Sequence, residues 1–157
     1  MAAAQKASID YKKKIGHGIV GTAATAAAAA GASPIPFSDA FILVPIQVVM
    51  LAGITSAFGL ELSVGFLSTL VASAIGATGS TFAGRTIAAN LLKLVPGPGT
   101  VAGAAISATT AATLTTALGE IYLGTLAALF VESGGEPPAP DAIAREFKRR
   151  LSLKGAK

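Results

Sequence analysis

Residues 33–60 read SPIPFSDAFILVPIQVVMLAGITSAFGL: a proline-marked turn, a capping pair, and then twenty residues, 41–60, without a charge. Proline disfavours helix in the residue before it, so a preceding helix must stop at Ser33-Pro34-Ile35-Pro36. Ser38 or Asp39 offers a side-chain oxygen to cap a new helix from about Ala40 to Phe58. At a rise of about 1.5 Å per residue, twenty residues cover roughly 30 Å, the thickness of a bilayer hydrocarbon core. Pro45 inside that helix would cost about 3 kcal/mol in water. A membrane helix tolerates the kink it is expected to make.

Working outward, a helix is expected on the N-terminal side from about Ile15 to Ser33. A third runs from about Leu62 to Val95, ending at Val95-Pro96-Gly97-Pro98-Gly99. Thr100 is expected to cap a fourth, from about Val101 to Glu132. Pro34-Ile35-Pro36-Phe37-Ser38 and Pro96-Gly97-Pro98-Gly99-Thr100 share the pattern Pro-x-Pro-x-Ser/Thr, 62 residues apart. The predicted fold is therefore all-α: two helical hairpins of about four long helices, packed as a membrane-embedded or membrane-associated bundle, with duplication and chance turns both open as the origin of the rhyme. A basic segment (1–14), the hairpin domain (15–132), a Gly/Pro linker (133–140) and a basic amphipathic tail (141–157) divide the chain.

Charge supports this class. Between Ile15 and Val131 there are five charged side chains, Asp39, Glu61, Arg85, Lys93 and Glu120, whereas the net charge of +4 comes from the two ends. Charged residues make up 13% and mean hydropathy is +0.67, against about 25% charge in ordinary soluble domains. A long uncharged body with basic ends, Lys12, Lys13 and Lys14 at one and Arg145 to Lys154 at the other, reads as an inner-membrane protein with both termini cytoplasmic. The absence of cysteine excludes disulfides, thiolate catalysis and Cys-ligated zinc. No secretory cleavage pattern follows the first lysines.

Helix packing is expected through small residues. Gly65, Thr69, Ala72, Gly76, Gly79 and Ala83 follow one another at spacings of three and four along the third helix, and Gly99, Gly103 and Ser107 open the fourth. Glu120 shares a helical face with Thr109, Thr113 and Thr116, beside an apolar face of Leu114, Leu118, Ile121 and Leu129. In a bilayer its carboxylate needs a partner, for which Arg85, Lys93 and His17 are the candidates. The alternative is an interface-level glutamate. Gln47 and Asn90 can bond across helices. The window Gly79 to Thr86 approaches a phosphate-binding loop but has Arg85 where a lysine is required, and no preceding strand. In the tail, Ile143, Phe147 and Leu151 recur every four residues while Arg145, Lys148, Arg149 and Lys154 point elsewhere. That pattern suits an anionic lipid surface, and no aromatic platform favours nucleic acid.

The stretches Pro34-Ile35-Pro36-Phe37-Ser38-Asp39-Ala40, Pro45-Ile46-Gln47 and Lys93-Leu94-Val95-Pro96-Gly97-Pro98-Gly99-Thr100-Val101-Ala102-Gly103 resemble the bacterial domain of unknown function 697, the YcjF-type domain. The likeness extends through Ala108 to Glu120 and covers about residues 15–131. In that family the domain often follows a GTPase domain of the Era or dynamin-like kind, or sits in membrane proteins encoded beside such GTPases. This chain has no G domain, so the resemblance implies a stand-alone copy acting in trans and transfers no catalytic residue.

No paired carboxylates, Ser/His/Asp set or metal cluster supports an enzyme, a metal site or a cofactor. The expected function is a non-enzymatic inner-membrane scaffold or adaptor in contact with the lipid bilayer, with self-association and a GTPase partner. A holin-like or toxin-like pore lined by the Thr109–Glu120 stripe is the alternative, and a soluble helical bundle acting as an interaction module is the second.

Overall fold

A computed structural model describes residues 2–34, 39–77, 92–94 and 97–155, and among them every regular element is helical. The helices among the described residues are α1 (Ala2–Gly31), α2 (Asp39–Ala57), α3 (Val64–Ala77), α4 (Pro98–Glu132) and α5 (Pro140–Gly155). The all-α bundle expected from the sequence is thus the fold, although the helix bounds differ in instructive places.

Helix α1 begins at Ala2 and not near Ile15. Alanine, glutamine and lysine are all good helix formers. Ile9 also continues the buried face of Gly16, Val20, Ala23, Ala27 and Gly31. The basic segment is therefore the first half of a 30-residue helix. Lys12 serves the packing directly: its Nζ donates to the Phe58 carbonyl at 3.2 Å and sits 4.8 Å from the Phe130 ring centroid.

Helix α2 runs through Pro45 and closes at Gly59, whose φ of 75° allows Leu60 N–H to reach back to the Thr55 carbonyl. That is a Schellman stop, and glycine adopts the left-handed conformation without steric cost. Ser63 caps α3 by accepting from Phe66 N–H at 3.1 Å. Residues 78–91 of the expected third helix, with Gly79, Ala83, Arg85, Asn90 and the loop-like window 79–86, lie outside the described residues. So do Ile35 to Ser38 of the first turn. Helix α4 starts at Pro98, one turn earlier than a Thr100 cap would place it. Proline suits the first helical position, where its missing N–H has no partner to lose, and the Thr100 hydroxyl instead donates to the Lys93 carbonyl.

Two long helices form the spine. Helices α1 and α4 lie antiparallel, because Gln5 reaches the Phe130 carbonyl, His17 meets Glu120, and Gly31 lies against Ser107. Helix α2 runs parallel to α4, with Gln47 beside Thr115 and Thr55 beside Tyr122. The core joins Met50, Leu51, Ile54 and Phe58 to Leu67, Leu70 and Val71 of α3 and to Tyr122, Leu123, Leu126 and Phe130 of α4.

The C-terminal segment differs from its expected role. Ile143, Phe147 and Leu151 are buried in that same core, and Phe147 meets Tyr122 edge-on at 6.0 Å. The apolar stripe that would enter a lipid surface is consumed by the bundle. Helix α5 is consequently a structural member and not a free amphipathic anchor.

Candidate functional site

The molecule has two poles of different chemistry. At one, Lys12 ties the end of α2 to α1 and α4, and Lys6, Asp10, Lys14, Glu61, Glu132 and Glu136, on the first half of α1 and at the ends of α2 and α4, are exposed, as is the basic face of α5, which packs through Phe147 on Tyr122. At the other, the Lys93 ammonium is buried and donates to the Gly31 carbonyl at 3.1 Å. A cation there complements the exposed carbonyls at the end of α1. That bond joins the end of α1 to the segment that precedes α4.

Between the poles the helices carry no charge: residues 18–31 of α1, 42–57 of α2 and 98–119 of α4. Their outward side chains are apolar or small. Val49 is 70% exposed and Val101 72% exposed, with Ile42 and Val44 also open. The α4 segment alone covers about 33 Å at the helical rise. Among the described residues one helix, Pro98–Glu132, is long and apolar enough to cross a membrane, and 56% of its most apolar stretch is buried within the molecule. The strongest span read from sequence, residues 41–60, contributes only a shorter apolar helix, Ile42–Ala57.

His17 and Glu120 mark the boundary between the uncharged band and the charged pole. His17 Nδ1 lies 2.9 Å from Glu120 Oε1, so the imidazole donates from Nδ1 to the carboxylate. Gly16 stands beside this contact, where a Cβ would fall 2.5 Å from Leu123 Cδ1 and that side chain would have to shift. The absence of a Cβ lets α1 approach α4. Of the two candidate partners among the described residues, His17 is brought to Glu120 and Lys93 bonds elsewhere, while Arg85 lies outside the described residues.

Thr109, Thr113 and Thr116 share Glu120's outer face and are exposed. Thr109 and Thr113 donate within their own helix, to the carbonyls of Ala105 and Thr109. A second polar line, which the sequence reading missed, runs on the opposite, buried face: Ser107, Thr110, Thr115 and Thr125. Thr115 accepts from Gln47 Nε2 at 3.4 Å, the cross-helix use expected of that amide. The Thr55 hydroxyl gives its proton to the Leu51 carbonyl, which makes Tyr122 the donor in their 2.8 Å contact. Gln47 Oε1, Ser107 Oγ and Thr110 Oγ1 are buried without a hydrogen-bond partner. Spacings of three, four and seven with Leu118 and Tyr122 were the available signal.

The small residues divide similarly. Gly65, Ala72 and Gly76 do not pack the bundle but lie exposed, because Leu67, Leu70, Val71 and Ala74 take the inner face of α3. Gly103 is buried and Gly99 half-buried on α4. Close helix approach is made by Gly16, Gly31 and Gly119, the last facing Val20 and Met50.

On α5, Arg145, Lys148, Arg149 and Lys154 are exposed. Glu146 accepts from Arg149 at 2.7 Å and from Arg150 at 2.6 Å. The Arg149 hydrogen bonds, with help from Arg150, hold the Glu146 carboxyl below its ordinary range, against a smaller opposing effect of desolvation. A depressed carboxyl stabilises the fold above the ordinary carboxylate range and loses that contribution as pH falls through the depressed value. Glu146→Gln is therefore expected to lower stability slightly at neutral pH and to converge with the wild type below the depressed value, flattening the acid limb, as read by circular dichroism melts across pH. A variant with the wild-type acid limb would contradict this.

Among the described residues no three His, Cys, Asp or Glu side chains are grouped to hold a metal ion. Comparison of the chain with family models, curated proteins and solved structures finds no match.

Proposed function

We propose that this chain is a non-enzymatic helical protein of the bacterial inner membrane. Its uncharged band lies in the bilayer, and its charged pole forms a cytoplasmic platform that scaffolds or adapts other proteins. One observation carries the reading: the exposed surface of three neighbouring helices is free of charge, over about 33 Å on α4 and about 21–24 Å on α1 and α2, while exposed charge lies on the N-terminal half of α1, at or just after the ends of α2 and α4, and on α5. Lipid is the solvent to which Val49 and Val101 can be open at little cost. The basic residues on one pole support the cytoplasmic orientation. Self-association and a GTPase partner belong to the same proposal, the latter resting on the resemblance of the two proline turns to the YcjF-type domain.

Because the chain has no cysteine, single cysteines report exposure cleanly. In membranes, Val49→Cys and Val101→Cys are expected to resist a water-soluble maleimide that labels Lys6→Cys and Ser152→Cys, with all four labelled after denaturation. Equal labelling of the four in intact membranes overturns the proposal.

A further inference from the structure

Helices α1 and α2 do not close on each other along their outer side. They leave an open apolar groove of about 740 Å³ lined by Ile15, Ile19, Ala26, Pro45, Val49 and Met50, with Thr22 as its polar side chain. That volume lies in the range of small-molecule clefts. From Ile15 to Ala26 the α1 wall is roughly 17 Å long by the helical rise, close to one leaflet of a hydrocarbon core of about 30 Å.

The mouth is not neutral. Lys14 stands one turn before Gly18, and Tyr11 one turn before Ile15, so both continue the groove-lining face of α1 toward the charged pole. Both are exposed. The neighbouring lysines are turned elsewhere: Lys12 engages Phe58 and Phe130, and Lys13 lines a separate cleft toward α4. One cation and one phenol thus stand where an apolar slot meets the surface.

We infer that the groove between α1 and α2 holds an acyl chain of an anionic phospholipid from the cytoplasmic leaflet, with its phosphate at Lys14 and Tyr11. The inference rests on the membrane reading and adds a specific lipid site to it. A single chain fits the slot's length and its apolar walls, and the charge at one end sets its direction. A zwitterionic lipid offers the same chain but a weaker headgroup contact.

The test uses the full chain in vesicles of phosphatidylethanolamine containing a trace of phosphatidylglycerol with a photoreactive diazirine on its acyl chain. After illumination, adducts are expected on the peptides holding residues 15–26 and 45–53. Gly18→Leu should reduce them to background, and a side chain is accommodated there because a Cβ at Gly18 meets nothing within 4 Å. Lys14→Glu should weaken them about fivefold at unchanged helicity. Photoreactive phosphatidylethanolamine should label the groove less than phosphatidylglycerol does. Adducts spread evenly over α2 and α4, equal labelling by the two lipids, or crosslinks from the groove to a second copy would each overturn the site while leaving the membrane reading intact. Failure of the protein to float with vesicles would overturn both.

Discussion

Lysine at position 49 is expected to remove most of the protein from the membrane fraction. Val49 lies in the uncharged half of α2 and is 70% exposed, so the substitution breaks no internal contact. In water such a surface change alters stability by no more than about 0.5 kcal/mol. At the centre of a membrane helix a lysine costs about 2.5–3.5 kcal/mol, roughly two orders of magnitude in partition. Val49→Lys should therefore lower carbonate-resistant sedimentation sharply while leaving helicity in detergent unchanged. Leu153→Lys is the control, since Leu153 is also exposed but stands on α5 among the basic Lys148, Arg149, Arg150 and Lys154. If Val49→Lys sediments as the wild type does, the uncharged surface faces something other than lipid.

Two alanine substitutions on α1 are expected to move stability in opposite directions. In an isolated helix, alanine is favoured over glycine by about 0.8–1.0 kcal/mol wherever it is placed. At Gly18 a Cβ finds open space, and Gly18→Ala should stabilise by about 0.5–1 kcal/mol. At Gly31 the same Cβ would lie 2.7 Å from the Ser107 carbonyl oxygen and 2.9 Å from Ala108 N. These are backbone atoms of α4, which cannot swing aside as a side chain can, so the helices must separate. Overpacking of this kind costs about 1–3 kcal/mol, and the shift also stretches the Lys93 bond to the Gly31 carbonyl. Gly31→Ala should destabilise by about 2 kcal/mol net, read from denaturant unfolding followed by circular dichroism. Equal effects at the two positions would mean that α1 and α4 do not meet as described.

What could be read from the residues, and what could not, follows from which signals survive without neighbours. The Pro-bounded limits of α2 and the end of α4 were legible because proline and glycine act locally on the backbone. The cross-helix bond of Gln47 was legible because an amide in an apolar run has few other uses. The start of α1 was hidden by its lysines, whose charge suggested a tail while Ile9 kept the helical face continuous. The α5 stripe of Ile143, Phe147 and Leu151 was seen correctly, but periodicity states only that a face needs cover, and here the bundle supplies it. The threonines of α4 were the hardest: Thr109, Thr113 and Thr116 on one side and Thr110, Thr115 and Thr125 on the other are alike in type. The second set is distinguished by sharing its face with Leu118, Tyr122 and Leu126. For Glu120, several basic partners were equally available on paper, and the antiparallel approach of α1 to α4, which only three dimensions reveal, brings His17 to it.

The antiparallel pairing of the first long helix with the fourth also has a temporal side. Val20 meets Gly119 across that seam, so about a hundred residues must leave the ribosome before the earlier helix of the pair finds its mate, some 5–20 s at ordinary elongation speeds. During that interval an alanine-rich rod stands half-clothed, and its assembly waits on a distant contact. Biogenesis should thus depend on whatever shelters nascent chains, more than the modest size of the finished particle would suggest.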